Sequence, residues 1–166
     1  MAKIKFTYSA VGRDRKHYLN ESDVLTVLNR LPLEAWNGLR AIHFNDKSRG
    51  VRILGYANAT EHEISICALP PRVALTRALL RGQYPELFGA QRGKQWPELA
   101  VKRFLLYDVL LHELGHLQIV EDRPKGGRRK HAHEKLAQQF ADQWRQTLWS
   151  AHFDHPDPVH NPPARD

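Results

Sequence analysis

The chain has 166 residues, of which 42% are hydrophobic, 26% charged and ten histidine, with one cysteine and a formal net charge of +7. These values fit one folded domain and exclude a wholly disordered chain, a disulfide scaffold and a cysteine-ligated zinc site. No apolar run approaches the ~20 residues that span a bilayer, and MAKIKFTYSA lacks the apolar stretch of a secretory signal, so the expectation is a soluble, cytoplasmic protein whose basic balance favours acidic partners.

From Lys3 to Ser9, Ile4, Phe6 and Tyr8 alternate with polar residues at the period of a half-buried strand. Asn20 or Ser22 can cap a helix carrying Val24, Leu25, Val27, Leu28 and Leu31, which Pro32 ends; a short helical turn follows at Leu33 to Trp36. Three short apolar runs come next, Leu39 to Phe44, Val51 to Tyr56 and Ile64 to Leu69, and their turn-like separators predict an antiparallel meander. Cys67 lies in the apolar stretch ISICAL, which predicts a buried, unreactive thiol. After Pro70 and Pro71, RVALTRALLRG reads as a short helix closed by Gly82, and residues 82–97 as a loop long enough to be a flap over a site or a plain surface excursion. Pro97 begins a helix running to about Val120, apolar on most faces and so central. EDRPKGGRRK breaks it before a second long helix from about Lys130 to Ala151. Four prolines in DHPDPVHNPPARD predict an extended tail, giving a domain over 1–150 and a Pro/His-rich tail over 151–166.

The chemistry concentrates in the central helix, where His112, Glu113, Leu114, Gly115 and His116 spell H-E-x-x-H. Residues four apart in a helix turn through ~400° and rise ~6 Å, so both imidazoles project from one face and can share one zinc ion. Glu113, one step round, falls beside the metal, where a general base for the attacking water belongs. These ionisable groups sit within the apolar run FLLYDVLLHELGHLQIV, where burial without a metal or partner costs several kcal/mol. A catalytic zinc needs a third protein ligand and an open position. In the second helix Glu134, Ala137 and Ala141 share a stripe with Trp144 and Leu148, so small residues would let the two helices approach and bring the Glu134 carboxylate to the metal. His131 and His133 compete with it for that place. The metzincin continuation is absent, because Ile119 and Asp122 hold the positions of its glycine and third histidine.

HELGH followed by Glu134, Ala137, Phe140 and Ala141 resembles the gluzincin metallopeptidases of the ImmA/IrrE type, over about Tyr107 to Trp144. The resemblance implies a small zincin domain that works on or with repressor proteins, with a sheet placed over the site helix and an edge strand that holds an extended substrate. Ile64 to Leu69 is the nominated strand. The gap between His116 and Glu134 is shorter than the family pattern.

Weaker candidates surround this core. Arg123, Lys125, Arg128, Arg129 and Lys130 put five positive charges into the segment 123–130, either a solvated loop or a weak nucleic-acid contact. Tyr56, Tyr107, His152, His155 and His160 are candidate oxyanion stabilisers, and Asp108, one turn before His112, is a candidate for orienting its imidazole. The expected fold is α+β and zincin-like, a small, mainly antiparallel sheet packed on two long helices. The expected function is a zinc metallopeptidase with His112, His116 and Glu134 as ligands and Glu113 as base. The alternative is a non-catalytic, zinc-stabilised module that docks on DNA or an acidic protein.

Overall fold

Asn20 starts the first helix, α1 (Glu21–Arg30), through a reciprocal cap in which its side chain accepts from Asp23 N and the Asp23 carboxylate accepts from Asn20 N. Val24, Val27 and Leu28, three and four apart, form its buried face, and Leu31 turns to extended backbone ahead of Pro32. Because α1 fills the connection between β1 (Lys5–Tyr8) and β2 (Ala41–Asn45), these strands run parallel, paired from Lys5 with Ala41 to Tyr8 with Phe44. The computed structural model describes residues 3–119, 127–151 and 154–163, with residues 127–130 as backbone alone. The basic side chains of 123–130 therefore lie outside the described residues, as does His152.

Among the described residues four strands form one sheet, in the order β1-β2-β4-β3. The chain leaves β2, forms β3 (Gly55–Asn58) at the outside, and returns as β4 (Glu63–Cys67) between them, parallel to β2 and antiparallel to β3. This mixed sheet corrects the mainly antiparallel meander. The reason is burial: Ile64, Ser65, Ile66 and Cys67 are all buried, which only an interior position provides, whereas β3 alternates half-buried and exposed residues as an edge strand does. Ile64 to Leu69, nominated as the edge strand for substrate, is consequently interior, and the sheet's edges are β1 and β3. The β3 run also starts later than expected, because Arg49 and Val51 adopt left-handed backbone (φ 51° and 63°) in the turn before it.

Helix α2 spans only Arg77–Leu80, capped by the Thr76 side chain. The segment 82–97 packs against the core: it contains a 3₁₀ turn at Pro85–Phe88, and Phe88 is fully buried against Trp96, Phe104 and Trp149. The central helical run consists of α3 (Glu98–Phe104), a π-helical turn (Leu105–Val109) and α4 (Leu110–Gln118), with Leu110 N bonding to Leu105 O. Helix α5 (Gly127–Ser150) lies along α4, and Ala137 and Ala141 on its inner stripe are fully buried. Contact is close at Gly115, where an added Cβ would stand 2.9 Å from Ala137 O and 3.0 Å from Ala137 Cα. In the tail the expected extended course is interrupted by a 3₁₀ turn at Pro158–His160, since proline suits a first helical position. Arg103 holds it by donating from Nε to Asn161 O and from Nη2 to Pro158 O. Among the described residues no helix is long and apolar enough to cross a membrane.

Two outcomes follow from this packing. Gly115→Val forces its side chain into the Ala137 backbone, so urea unfolding should show a loss of about 1–3 kcal/mol, and wild-type stability in that variant would contradict the contact. The second concerns His160, whose Nδ1 accepts from Tyr107 O–H at 2.7 Å. Burial, helped by the nearby charge of His155, pushes its pKa down to about 4. Between that value and the ordinary 6.5 the unfolded chain binds more protons than the folded one, so stability rises with pH. Lowering the pH through this window should remove up to ~3 kcal/mol from this group, and the loss should be shallower in His160→Asn.

Candidate metal centre

The H-E-x-x-H residues occupy α4 immediately after the π turn, and the helix direction brings both imidazoles toward α5. His112 Nε2 lies 2.9 Å from Glu134 Oε2, His116 Nε2 3.0 Å from Glu134 Oε1, and the two Nε2 atoms 3.1 Å from each other. The Glu134 carboxylate is thus bracketed by both rings, and of the three candidates for the third position it is the one placed there. His131 is exposed. His133 stacks on His116 with ring centroids 4.7 Å apart and meets it through the other ring nitrogen, Nδ1 to Nδ1 at 2.7 Å.

The outer hydrogen bonds determine which nitrogen of His112 faces inward. Gln138 Nε2 donates to the carboxylates of Asp108 and Asp142 at 2.9 and 2.8 Å, so its Oε1 is an acceptor toward His112. His112 Nδ1 must then carry the proton it donates to Gln138 Oε1 at 2.9 Å, which leaves a lone pair on Nε2. For His116, the Nδ1 contact with His133 permits the same tautomer. The Nε2 lone pair of His112, the Nε2 atom of His116 and a carboxylate therefore converge, and a cation satisfies such a set. Zinc bonds of 2.0–2.1 Å in tetrahedral array put ligand atoms about 3.3 Å apart, within a few tenths of an ångström of the separations here, so the residues fit a divalent metal.

The charges of these groups act strongly on one another. The close approach of the His112 and His116 ring nitrogens holds the Glu134 carboxyl far below its ordinary range. Burial opposes a charge on His116, but the carboxylates of Glu134 and Glu113 outweigh it and raise its pKa. Glu113 is 7% exposed, and burial pushes its pKa up to about 7. Its ligand atom lies within 4.8 Å of those of His112 and His116, close enough to share a water with a metal there.

These groups open onto a cleft of about 390 Å³ lined by residues 52–55 at the start of β3, by Ala78, Leu79 and Arg81, and by Val109, His112, Glu113 and Glu134. Gly55 allows this approach: a Cβ there would stand 2.8 Å from Val109 Cγ1 and 2.9 Å from Ser65 O. Of the nominated oxyanion stabilisers, Tyr56, Tyr107, His155 and His160 do not line this cleft. Tyr107 is fully buried and bonds to His160, Tyr56 OH accepts from Asn45 Nδ2 at 2.8 Å, and His155 contacts His160 in the tail. Asp108 does orient His112, but through Gln138 rather than directly. Sequence reasoning missed Gln138 and Arg81. Gln138 had a signal, lying one turn beyond Glu134 on the same helix; Arg81, from a distant short helix, had none. The chain matches no protein-family model, no curated protein and no solved structure.

Titration with zinc as the probe ranks the roles. Gln138→Leu and His133→Ala remove outer partners and should weaken binding by roughly 10–100-fold. Glu134→Ala removes a ligating group and should exceed both; an equal or smaller effect would exclude it from the coordination set.

Proposed function

We propose that this protein is a zinc-dependent metallopeptidase, a zincin-like hydrolase in which His112, His116 and Glu134 hold the metal. The observation that carries the reading is the convergence of these three groups on one point beside a buried glutamate and an open cleft. Zinc bound there supplies a Lewis acid that acidifies water and polarises the scissile carbonyl.

The chain's own residues account for the remaining requirements. Glu113 takes the proton of the attacking water and later delivers it to the leaving amine. Val109, Leu54 and Leu79 give the cleft apolar walls that limit bulk water around the reacting groups. On its outer side β3 has no strand partner among the described residues, and Gly55 at its start lines the cleft. Its free backbone groups can hold a substrate in extended form, with the scissile bond directed toward Glu113. Gln138 and His133 keep both imidazoles oriented during turnover.

Glu113→Gln preserves size and hydrogen bonding while removing the base. It should retain zinc and the wild-type melting curve yet lower hydrolysis of an unstructured protein substrate by at least about a hundredfold. Undiminished cleavage in this variant overturns the mechanism. Zinc binding with no wild-type hydrolysis of any unstructured substrate would instead favour a docking module stabilised by its metal.

A further inference from the structure

Two arginines line the cleft, and hydrolysis of a peptide bond does not by itself require both. Arg52 comes from the segment entering β3 and Arg81 from the end of α2, with Ile53, Leu54, Ala78 and Leu79 around them. Arg81 is held in place. Its backbone is left-handed (φ 50°, ψ 45°), and its Nη2 donates to Asp108 Oδ2 at 2.7 Å. Asp108 is fully buried and already receives a second guanidinium, since Arg145 Nη1 reaches its Oδ1 at 3.2 Å. Arg81 is thus not the sole counter-charge of that carboxylate. Nη2 is its one hydrogen-bonded nitrogen among the described residues, and Nε is buried there without an acceptor. The side chain is 29% exposed, so its end-on fork, Nη1 with the second hydrogen of Nη2, can meet a planar carboxylate, whereas Nε has no surface that a ligand can reach. The acidic residues lining the cleft are Glu113 and Glu134. Glu134 is engaged by the two imidazoles and Glu113 is assigned to proton transfer, so apart from the Asp108 carboxylate that Arg81 shares with Arg145 no acid of the cleft is left to pair with the arginines.

We propose that Arg81, assisted by Arg52, is the binding subsite for a substrate carboxylate beside the reacting bond, so that the protein acts on peptides carrying a negative charge at that position. This rests on reading the cleft as a peptidase site. The carboxylate has two possible sources, a free C-terminus or an Asp or Glu side chain, and the same guanidinium geometry serves both.

The test is binding to the zinc-loaded Glu113→Gln protein by calorimetry. The probes are acetylated pentaalanine as the free acid, the same peptide as its C-terminal amide, and amidated versions whose central alanine is replaced by glutamate or by glutamine. At least one carboxylate peptide should bind about tenfold or more tighter than its neutral counterpart, and which one does so identifies the source. Arg81→Met and Arg81→Lys should abolish that preference, the lysine because it lacks the fork, while Arg52→Met should reduce it. Equal binding of charged and neutral peptides, or no binding up to several millimolar, overturns the subsite. A preference that survives the Arg81 variants assigns the carboxylate to the metal and overturns it too. If neither Arg81 variant folds, the Arg52 variant and the peptide comparison still decide. Cleavage that depends on Glu113 but shows no carboxylate preference removes the subsite and leaves the peptidase reading. Carboxylate-selective binding that depends on Arg81, without any hydrolysis by wild type, removes the peptidase reading and leaves the subsite.

Discussion

Burying the carboxylate of Asp108 organises much of this molecule. It sits in the π turn, fully out of solvent, and receives Arg81, Gln83, Gln138 and Arg145. An ionised group so placed is tolerated only when paired and fully hydrogen-bonded, and removing one partner of such a pair typically costs about 3–5 kcal/mol. Its four donors come from three parts of the chain, the end of α2, the segment after it and helix α5. Satisfying one charge thus ties the cleft wall and the helix bearing Glu134 to the helix that carries H-E-x-x-H. The link continues outward through Gln138 to His112, so the same carboxylate determines which imidazole nitrogen faces Glu134.

Two glycines set the distances at which these parts meet. Gly115 lets α5 come so close to α4 that the Ala137 backbone occupies the place of a side chain. Gly55 does the same for β3 against Val109 in the π turn. With α5 and β3 both packed on α4, Glu134 reaches the imidazoles at the cleft that the start of β3 also lines. The apolar core beneath, from Ile42 and Ile64 in the sheet to Phe104, Leu106 and Leu110 in the central helix, keeps these contacts in register.

Legibility in the sequence followed the range of the interaction. Asn20 and Pro32 bound α1 because capping and proline act within a few residues, and the pairing of His112 with His116 is a property of one helix. Glu134 was legible from its stripe of alanines, which announced a close helix contact without naming its partner. The order of the strands was not: three adjacent apolar runs suggest local hairpins, whereas β4, buried over Ile64–Cys67, pairs along one edge with β2 and along the other with β3. Packing also decided the fate of 82–97, since Phe88 and Trp96 are core residues in a segment whose glycines and prolines read as loop.

The sequence by itself determined the helix that presents two imidazoles and a carboxylate, the second helix with a glutamate heading its small-residue stripe, and the α+β class. Each depends on residues within one or two turns of one another, where spacing and propensity act directly. Tertiary structure alone decided that β3 is an edge, that Gln138 supports His112, that Tyr56, Tyr107, His155 and His160 stay away from the cleft, and that Arg81 lines it. Those outcomes depend on which distant surfaces exclude water together and which buried charges must find donors, conditions that arise only once the helices and sheet are packed.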